Sequence, residues 1–311
     1  MVAMAAILVL SPAAFRTAFY ETYLHVHIAL VALVLAAWWI HIDGMQQMPY
    51  LQAVIAIWVA ERALRLISLI YRNLARTRTR THAEVEALPG DAMRITIRLA
   101  RPVTLKPGQH IFFTLPPVGL WTDHPFSLAW SETTTTPASY DLEKGSKTPQ
   151  ITFDVLALPQ TTVSLIIRRR GGFTGCLYKK CEASHNARIS LPAFVEGPYG
   201  GSQVLHSYGT VMLFAGGVGI THQITSVRDL TAGYVSSTAA AQRVTLIWVI
   251  RSSEHLEWIR PWMTTMLSMP KRRNLLRIQL FVTRPRSTKE IHSPGNTVQM
   301  YPGKPNVDTL C

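Results

Sequence analysis

The run Leu120-Trp-Thr-Asp-His-Pro-Phe-Ser-Leu-Ala-Trp130, near the middle of the chain, combines a rigid turn with an aromatic ring and a hydroxyl group. Its proline fixes the local backbone, its phenylalanine can lie against a planar ring, and its serine can donate a hydrogen bond to an oxyanion. The segment 108–115 before it has the composition of a buried strand. An ordinary loop-to-strand junction is the alternative interpretation. The candidate binding residues are His124, Pro125, Phe126 and Ser127.

The composition favours a membrane-associated chain with anionic ligands. At 311 residues there is room for two or more domains. Hydrophobic residues make up 48% of the chain and the mean hydropathy is +0.15, which is too apolar for a purely soluble enzyme of this length. The net charge of +13 suits nucleic acid, an anionic membrane face or phosphate-bearing ligands. Three cysteines have neither metal-ligand spacing nor a paired framework, and we interpret them as reduced cytosolic thiols: Cys176, Cys181 and Cys311.

Two apolar runs near the amino terminus predict membrane spans, at about 23–42 and 50–71. The short polar segment 43–49 separates them. Basic residues flank the pair and place both outer ends in the cytoplasm, so the remainder of the chain is predicted to be cytosolic; they are Arg16, Arg72, Arg76, Arg78 and Arg80. The apolar segment 1–10 is too short to span a bilayer and is interpreted as the tail of a further helix.

Two histidines in the first span are candidate metal ligands. His27 and His41 are fourteen residues apart, which in an α-helix leaves them about 40° apart around the axis and about 21 Å apart along it. Two neutral imidazoles so placed could each bind one haem iron, one near each membrane face. Histidines lying at the two headgroup levels, with no cofactor, are the alternative, and His25 is interpreted in that way.

The first cytosolic half predicts an antiparallel barrel, because short strands alternate with Pro and Gly punctuation. The expected strands are 93–99, 111–115, 151–156 and 163–168, with a flexible insertion at 131–150. After them, Arg168-Arg-Arg-Gly-Gly-Phe-Thr174 precedes a predicted helix. Backbone N–H groups at such a helix start bind anions, and the neighbouring arginines suit a pyrophosphate. A solvated basic loop is the alternative.

The second cytosolic half predicts a doubly wound nucleotide-binding sheet. Buried strands are expected at 210–215, 243–250 and 276–282, with helices from 220 to about 230 and at 254–269. The turn Gly216-Gly-Val-Gly-Ile-Thr221 lacks the usual dinucleotide spacing, but a strand precedes it and a helix follows it. Arg251 stands at the carboxyl end of the second strand, where it can meet a 2′-phosphate; a plain surface arginine is the alternative.

Five motifs occur in order along the chain. They are a two-histidine span after Tyr20-Glu21, His124–Ser127, Gly171–Thr174, Gly197-Pro-Tyr-Gly200 and Gly216–Thr221. Each motif alone is unspecific, but the ordered set resembles the fungal ferric/cupric reductases, relatives of the NADPH oxidases. The resemblance implies transmembrane α-helices, an antiparallel β-barrel FAD-binding domain and an α/β nucleotide-binding domain, which is a ferredoxin reductase-like plan.

The resemblance also implies three cofactors: FAD, NADPH and haem b. It assigns FAD to the four residues 124–127, and FAD phosphate to Gly172, Phe173 and Thr174, beside which Arg168 is a further candidate. It assigns haem to His27 and His41. It assigns NADPH to Gly197, Pro198, Tyr199, Gly200, Gly216, Gly217, Gly219, Ile220 and Thr221.

The implied activity is electron transfer from NADPH through FAD and haem to extracytoplasmic Fe(III) or Cu(II) chelates at the plasma membrane. A superoxide-generating oxidase and a catalytically incomplete membrane subunit are the alternatives. A permease or oxidase of iron uptake is a candidate partner, and nucleic acid is not expected. The predicted domains are 1–75 (partial, haem-binding), 76–203 (FAD) and 204–311 (NADPH, carboxy-terminally incomplete). Because an earlier haem-ligating span and a Cys-Gly-Pro strand end are missing, the chain is interpreted as a fragment or truncated product.

Overall fold

The computed structural model describes residues 2–13, 20–75, 80–119, 123–135, 159–201, 204–270, 272–285, 287, 291, 293 and 295–306. The chain divides into two compact units, Met1–Ser68 and Leu69–Cys311. Several predictions lie outside the described residues: the strand at 151–156, most of the insertion at 131–150, and the positions Arg16, Arg76, Arg78 and Cys311.

The described residues near the amino terminus include the helices α1 (Val2–Leu10), α2 (Tyr20–His41) and α3 (Met48–Asn73). Helix α2 has no internal Gly or Pro, and the left-handed Gly44 (φ +75°) follows its end. Residues 22–41 of α2, with a mean hydropathy of 1.9, form the only described helical stretch long and apolar enough to cross a membrane. The second predicted span, 50–71, does form a helix, but charged residues lower its apolarity and its role as a span is not confirmed.

Eight strands follow in the described part of the chain, in two antiparallel sheets. One sheet has the order β5-β6-β2-β1-β7 and the other the order β4-β3-β8. The strands are β1 (His82–Leu88), β2 (Ala92–Arg98), β3 (His110–Thr114), β4 (His124–Ser127), β5 (Trp130–Thr135), β6 (Pro159–Arg168), β7 (Arg188–Pro192) and β8 (Phe194–Tyr199). Helix α4 (Gly172–Glu182) lies between β6 and β7 in the chain.

The two antiparallel sheets share one apolar core. Alternate residues of β2 and β3 point into it, including Ile95 and Phe113, which are fully buried. Closure into the predicted barrel is not confirmed, because the described strands pair as two separate sheets. The prediction of a flexible insertion from residue 131 is wrong at its start, since 130–135 pairs with β6 as strand β5.

The last four strands form a parallel sheet with the order β12-β11-β10-β9. They are β9 (Thr210–Gly216), β10 (Arg243–Ile250), β11 (Leu276–Val282) and β12 (Val298–Pro302), with helices α5 (Ile220–Val235), α6 (Arg260–Ser268) and α7 (Arg272–Leu275). The first three strands confirm the predicted plan. The single helix predicted at 254–269 is wrong: a 3-10 helix at 253–258 is followed by Ile259, and α6 begins at Arg260 with Pro261 in its first turn.

The antiparallel and parallel parts are joined through a buried aromatic contact. The ring of Trp130 on β5 stacks on Trp262 of α6, with centroids 5.8 Å apart and planes 7° apart. The guanidinium of Arg94 on β2 donates to the backbone oxygen of Trp258 at 2.9 Å. Trp258 in turn donates from its indole nitrogen to the oxygen of Pro89 at 2.7 Å. These contacts place both parts in one compact unit.

We expect His255 to make this joint sensitive to pH. Its ring stacks on Trp258 at 4.0 Å, and burial, then the positive charges of Arg168 and Arg251, lower the pKa of His255 below its usual 6.5, while Glu254 opposes the shift. The folded state therefore disfavours the protonated form. The contribution of His255 to the free energy of unfolding is fully present above the pKa of histidine in the unfolded chain. It is lost as the pH falls through about 6.5 and below.

We expect the free energy of unfolding to decrease between neutral and mildly acidic pH, and this decrease to be smaller in His255→Gln. Urea titrations at several pH values measure it. His185→Gln, at an exposed histidine, is the control and should keep the wild-type pH profile. A wild-type profile in His255→Gln would contradict the assignment.

Candidate functional site

Strand β3 lies between two of the predicted binding motifs. In the register of its sheet, His110 faces Ser127 of β4 on one side and Tyr199 of β8 on the other. The rings of His110 and Phe112 lie 6.1 and 5.7 Å from the ring of Tyr199. The structure therefore brings the His124–Ser127 and Gly197–Gly200 motifs together across β3, and adds His110 and Phe112, which the sequence analysis did not name.

The first motif forms the strand β4 itself. Phe126 is half-buried and meets the ring of Phe113 edge-on, with centroids 6.5 Å apart. The ring of His124 lies against Phe173, with centroids 4.5 Å apart. Phe173 is buried in the first turn of α4, so this contact joins the first motif to the second.

The start of α4 has the features of an anion site. Gly172 has a left-handed backbone (φ +61°), and the hydroxyl of Thr174 accepts a hydrogen bond from the N–H of Arg170 at 3.0 Å. A Cβ added at Gly171 would meet nothing within 4 Å, so space for a ligand exists in front of the helix. The free N–H groups of this first turn and the helix dipole favour a phosphate there.

The three arginines before α4 have different environments. Arg169 pairs with Asp91 at 2.7 Å and lies over the ring of Tyr178 at 4.8 Å. Arg168, the last residue of β6, is half-buried, and Arg170 is exposed. Among the described residues neither of these two has an ion pair, so both remain available to an anion.

The Gly197–Gly200 turn needs its glycines. Gly197 (φ +113°) and Gly200 (φ +92°) have left-handed backbones. A Cβ on Gly200 would lie 3.3 Å from Nδ1 of His110, so the turn and β3 are in close contact. The hydroxyl of Tyr199 donates to the buried carboxylate of Glu196 at 2.6 Å, which fixes the tyrosine ring above β3. The Gly197–Pro198 peptide is cis.

The glycine-rich turn between β9 and α5 is firmly held yet open on its outer side. The indole nitrogen of Trp248 donates to the oxygen of Gly217 at 2.9 Å, and the hydroxyl of Thr221 donates to the oxygen of Val218 at 2.9 Å. Ile220 and Thr221 are buried in the first turn of α5. Added Cβ atoms at three glycines would meet nothing within 4 Å: Gly216, Gly217 and Gly219.

One further residue, His222, connects this turn with its surroundings. His222 follows Thr221 and its ring would lie 3.2 Å from a Cβ on Gly108, so the turn adjoins the loop that leads into β3.

At the carboxyl edge of the sheet, the N–H of Arg284 donates to the oxygen of Arg251 at 2.9 Å. Both arginine side chains are exposed. Arg284 was missed because it follows a strand end with no sequence motif of its own.

The two predicted haem ligands lie on one continuous helix, α2, in the other compact unit. The ring of His27 stacks on Tyr23 at 5.6 Å, and its Nδ1 is buried with no hydrogen-bond partner among the described residues. His41 is exposed at the end of the helix. Among the described residues, no group of three or more His, Cys, Asp and Glu could hold a metal ion.

The two described cysteines are free. Cys181 is buried, its thiol donates to the oxygen of Ala187 at 3.0 Å, and burial raises its pKa. A protonated, hydrogen-bonded thiol of this kind is unreactive. Cys181 is therefore part of the packing between α4 and β1.

These features define a class of protein. Two antiparallel sheets with the features of an anion site at a helix start, followed by a parallel sheet with an open glycine-rich turn, form a ferredoxin reductase-like fold for FAD and a nicotinamide nucleotide. Family models agree: "FAD-binding domain" matches residues 77–139, and "Ferric reductase NAD binding domain" matches 208–310.

Relatives of the chain make the resemblance more specific. Ferric/cupric reductase transmembrane component 2 of Saccharomyces cerevisiae is 30% identical over 80% of this chain and 30% of its own length. Ferric reductase transmembrane component 3 of the same yeast is 29% identical over 81% of this chain and 31% of its own length. The predicted resemblance to the fungal ferric/cupric reductases is thus confirmed, and the chain spans about a third of the length of these relatives.

Among solved structures, the CS-b5R domains of human Ncb5or are similar with a TM-score of 0.46 and 16% identity, over 76% of this chain and 59% of that one.

Proposed function

We propose that this chain is the electron-entry section of a membrane ferric/cupric reductase. It oxidises NADPH in the cytosol and delivers the electrons, through FAD and haem b, to Fe(III) or Cu(II) chelates outside the cell. The observation that carries the proposal is the open space in front of Gly216, Gly217 and Gly219, in the same compact unit as the antiparallel sheets. The names of the yeast relatives supply the class of acceptor.

The residues of β4 and α4 suit FAD. Phe126 offers an apolar ring and Ser127 a hydroxyl donor beside β3, while the start of α4 offers N–H groups with Arg168 and Arg170 nearby for the diphosphate. His124 and Phe173, in contact at 4.5 Å, hold these two regions together. FAD supplies the link between a two-electron donor and one-electron acceptors.

The residues around the glycine-rich turn suit NADPH. The start of α5 adjoins this open space, and the helix dipole favours a pyrophosphate there. Arg251 and Arg284 provide two exposed positive charges at the carboxyl edge, and they suit the 2′-phosphate that distinguishes NADPH from NADH. The Gly197–Gly200 turn, with Tyr199 held by Glu196, lies beside β3 and completes the nucleotide site.

The histidines of α2 suit haem b. His27 has a buried nitrogen without a partner among the described residues, and His41 is exposed on the same helix. Each imidazole can supply one axial nitrogen to an iron. We infer from the flanking arginines that His27 lies near the cytosolic face and His41 near the outer face of the plasma membrane. The proposed domains are 1–75, 76–203 and 204–311, and a permease or oxidase of iron uptake is the proposed partner.

Losing His41 is expected to stop reduction of an impermeant ferric chelate while NADPH oxidation by a soluble dye continues. The reason is that the dye can collect electrons before the outer haem. The measurement uses cells that express this chain joined to the amino-terminal part of one of the two yeast relatives. In these cells the variant His41→Ala is compared with the control variant His25→Ala. Wild-type chelate reduction and haem content in His41→Ala would show that the histidine is only an interfacial anchor.

The absorbance spectrum of the purified chain tests the proposed function. Flavin bands that bleach on addition of NADPH, more readily than with NADH, are the expected result. A chain without bound flavin after reconstitution would overturn the proposal and favour a catalytically incomplete subunit. Superoxide release in place of chelate reduction would favour an oxidase.

A further inference from the structure

The last turn of helix α3 is attached directly to strand β8. Asn73, the final residue of α3, is 2% exposed. Its side-chain Nδ2 donates to the oxygen of Val195 at 2.8 Å, and its Oδ1 accepts from the N–H of Val195 at 2.8 Å. Because β8 is the edge strand of its sheet, Asn73 satisfies backbone groups that a neighbouring strand would otherwise pair.

The residue before Asn73 contacts the binding turn itself. The guanidinium of Arg72, which is half-buried, donates to the backbone oxygen of Gly197. Two consecutive residues of α3 therefore hold two positions of one short segment, Val195 and Gly197. That segment leads directly into Tyr199 and Gly200, which lie against His110 of β3.

A third side chain, Arg101, holds the same helix end, and none of its hydrogen bonds among the described residues reaches β8. Arg101 donates to the oxygens of Tyr71 at 2.6 Å and Leu74 at 3.3 Å, and its guanidinium lies 4.0 Å from the centre of the Tyr71 ring. Arg101 thus stabilises the end of α3 as a structure. It offers a matched control for the contacts that reach the turn.

We propose that Arg72 and Asn73 are positioning residues for hydride transfer: they fix the Gly197–Gly200 turn, and with it Tyr199, over β3. The inference rests on the proposed function, in which this turn holds the nicotinamide nucleotide beside the flavin. A cavity of about 20 Å³, large enough for about one water molecule, is lined by Arg72, Asn73, Arg101 and Pro198, so the packing beside the turn is incomplete. A shift of the turn misaligns donor and acceptor, and misplacement of about 1 Å can slow a reaction by roughly 100-fold.

The test compares Arg72→Met and Asn73→Ala with Arg101→Met in the full purified chain loaded with FAD. Stopped-flow absorbance follows flavin reduction by NADPH and by NADPH deuterated at the transferred position. At saturating NADPH we expect Arg72→Met and Asn73→Ala to reduce the flavin roughly 10- to 100-fold more slowly, with an altered primary isotope effect and unchanged FAD content. Arg101→Met should retain the wild-type rate and isotope effect.

Each outcome decides the question. Equal slowing in all three variants with an unchanged isotope effect would show that the helix end only supports the fold, and wild-type rates in Arg72→Met would also overturn the inference. If Asn73→Ala does not fold, Arg72→Met decides, because it keeps both bonds between Asn73 and Val195. Failure of the wild-type chain itself to bind FAD or to react with NADPH would overturn the proposed function, a result distinct from all of these.

Discussion

Replacing Gly219 with glutamate is expected to raise the Kd for NADPH by at least about 100-fold, or about 2.7 kcal/mol, while FAD occupancy and the unfolding midpoint stay at wild-type values. The fold can accept the side chain, because the backbone of Gly219 is already right-handed (φ −59°, ψ −12°) and a Cβ there would meet nothing within 4 Å. A carboxylate at the start of α5 even interacts favourably with the helix dipole.

The same carboxylate occupies the space proposed for the pyrophosphate. It competes for the N–H groups of the turn and repels the phosphate charge, so bulk and charge act together against NADPH. Equilibrium titration of the nucleotide, followed by flavin or protein fluorescence, measures the effect. Gly219→Gln is the matched control: it adds nearly the same bulk without charge, and we expect it to weaken NADPH binding less. Equal NADPH affinity in wild type and Gly219→Glu would show that the turn has only a structural role.

Local patterns predicted much of the secondary structure around the candidate site, because each pattern depends on neighbouring residues. The strand β9, the turn at 216–219 and the helix α5 follow from a buried apolar run, a glycine cluster and a new helical pattern within about 25 residues. The motif 124–127 is similarly local, and the structure forms it as strand β4 rather than as the rigid turn that its proline indicated.

Contacts between distant segments were not predictable from such patterns. The bonds from Asn73 to Val195 join residues 122 positions apart, and a polar residue at a helix end gives no sign of its partner. Arg284 meets Arg251 only because two parallel strands end side by side. The predicted helix at 254–269 failed for a different reason: the apolar pattern continues through Ile259, but the backbone there leaves the helical region (φ −122°, ψ 10°) before α6 begins.

Replacing Gly175 with alanine is expected to weaken FAD binding by roughly 10- to 100-fold and to lower the free energy of unfolding by about 1–3 kcal/mol. A Cβ at this position would lie 2.6 Å from the backbone oxygen of Arg170. Real Cβ atoms do not approach an oxygen so closely, and a backbone oxygen cannot rotate away as a side chain could. Either the segment 168–171 or the start of α4 must therefore move.

Both possible movements disturb the proposed flavin site. Displacing 168–171 moves Arg168 and Arg170 and breaks the bond between the Arg170 N–H and the hydroxyl of Thr174. Displacing the helix start moves Phe173 away from His124, which it contacts at 4.5 Å. FAD titration and urea unfolding of the same preparation measure the two effects together.

The sign of the change in the free energy of unfolding distinguishes the steric clash from the effect of helix propensity. In a helix, alanine is favoured over glycine by about 1 kcal/mol, so without the clash Gly175→Ala would stabilise the protein. Gly209→Ala is the matched control, since a Cβ at Gly209 would meet nothing within 4 Å, and Cys176→Ala tests the next, exposed position of the same helix. We expect both controls to bind FAD normally. If Gly175→Ala were more stable than the wild type and bound FAD with unchanged affinity, the Arg170 oxygen would be able to move aside without lowering the free energy of unfolding. Gly175 would then not be required by the proposed anion site.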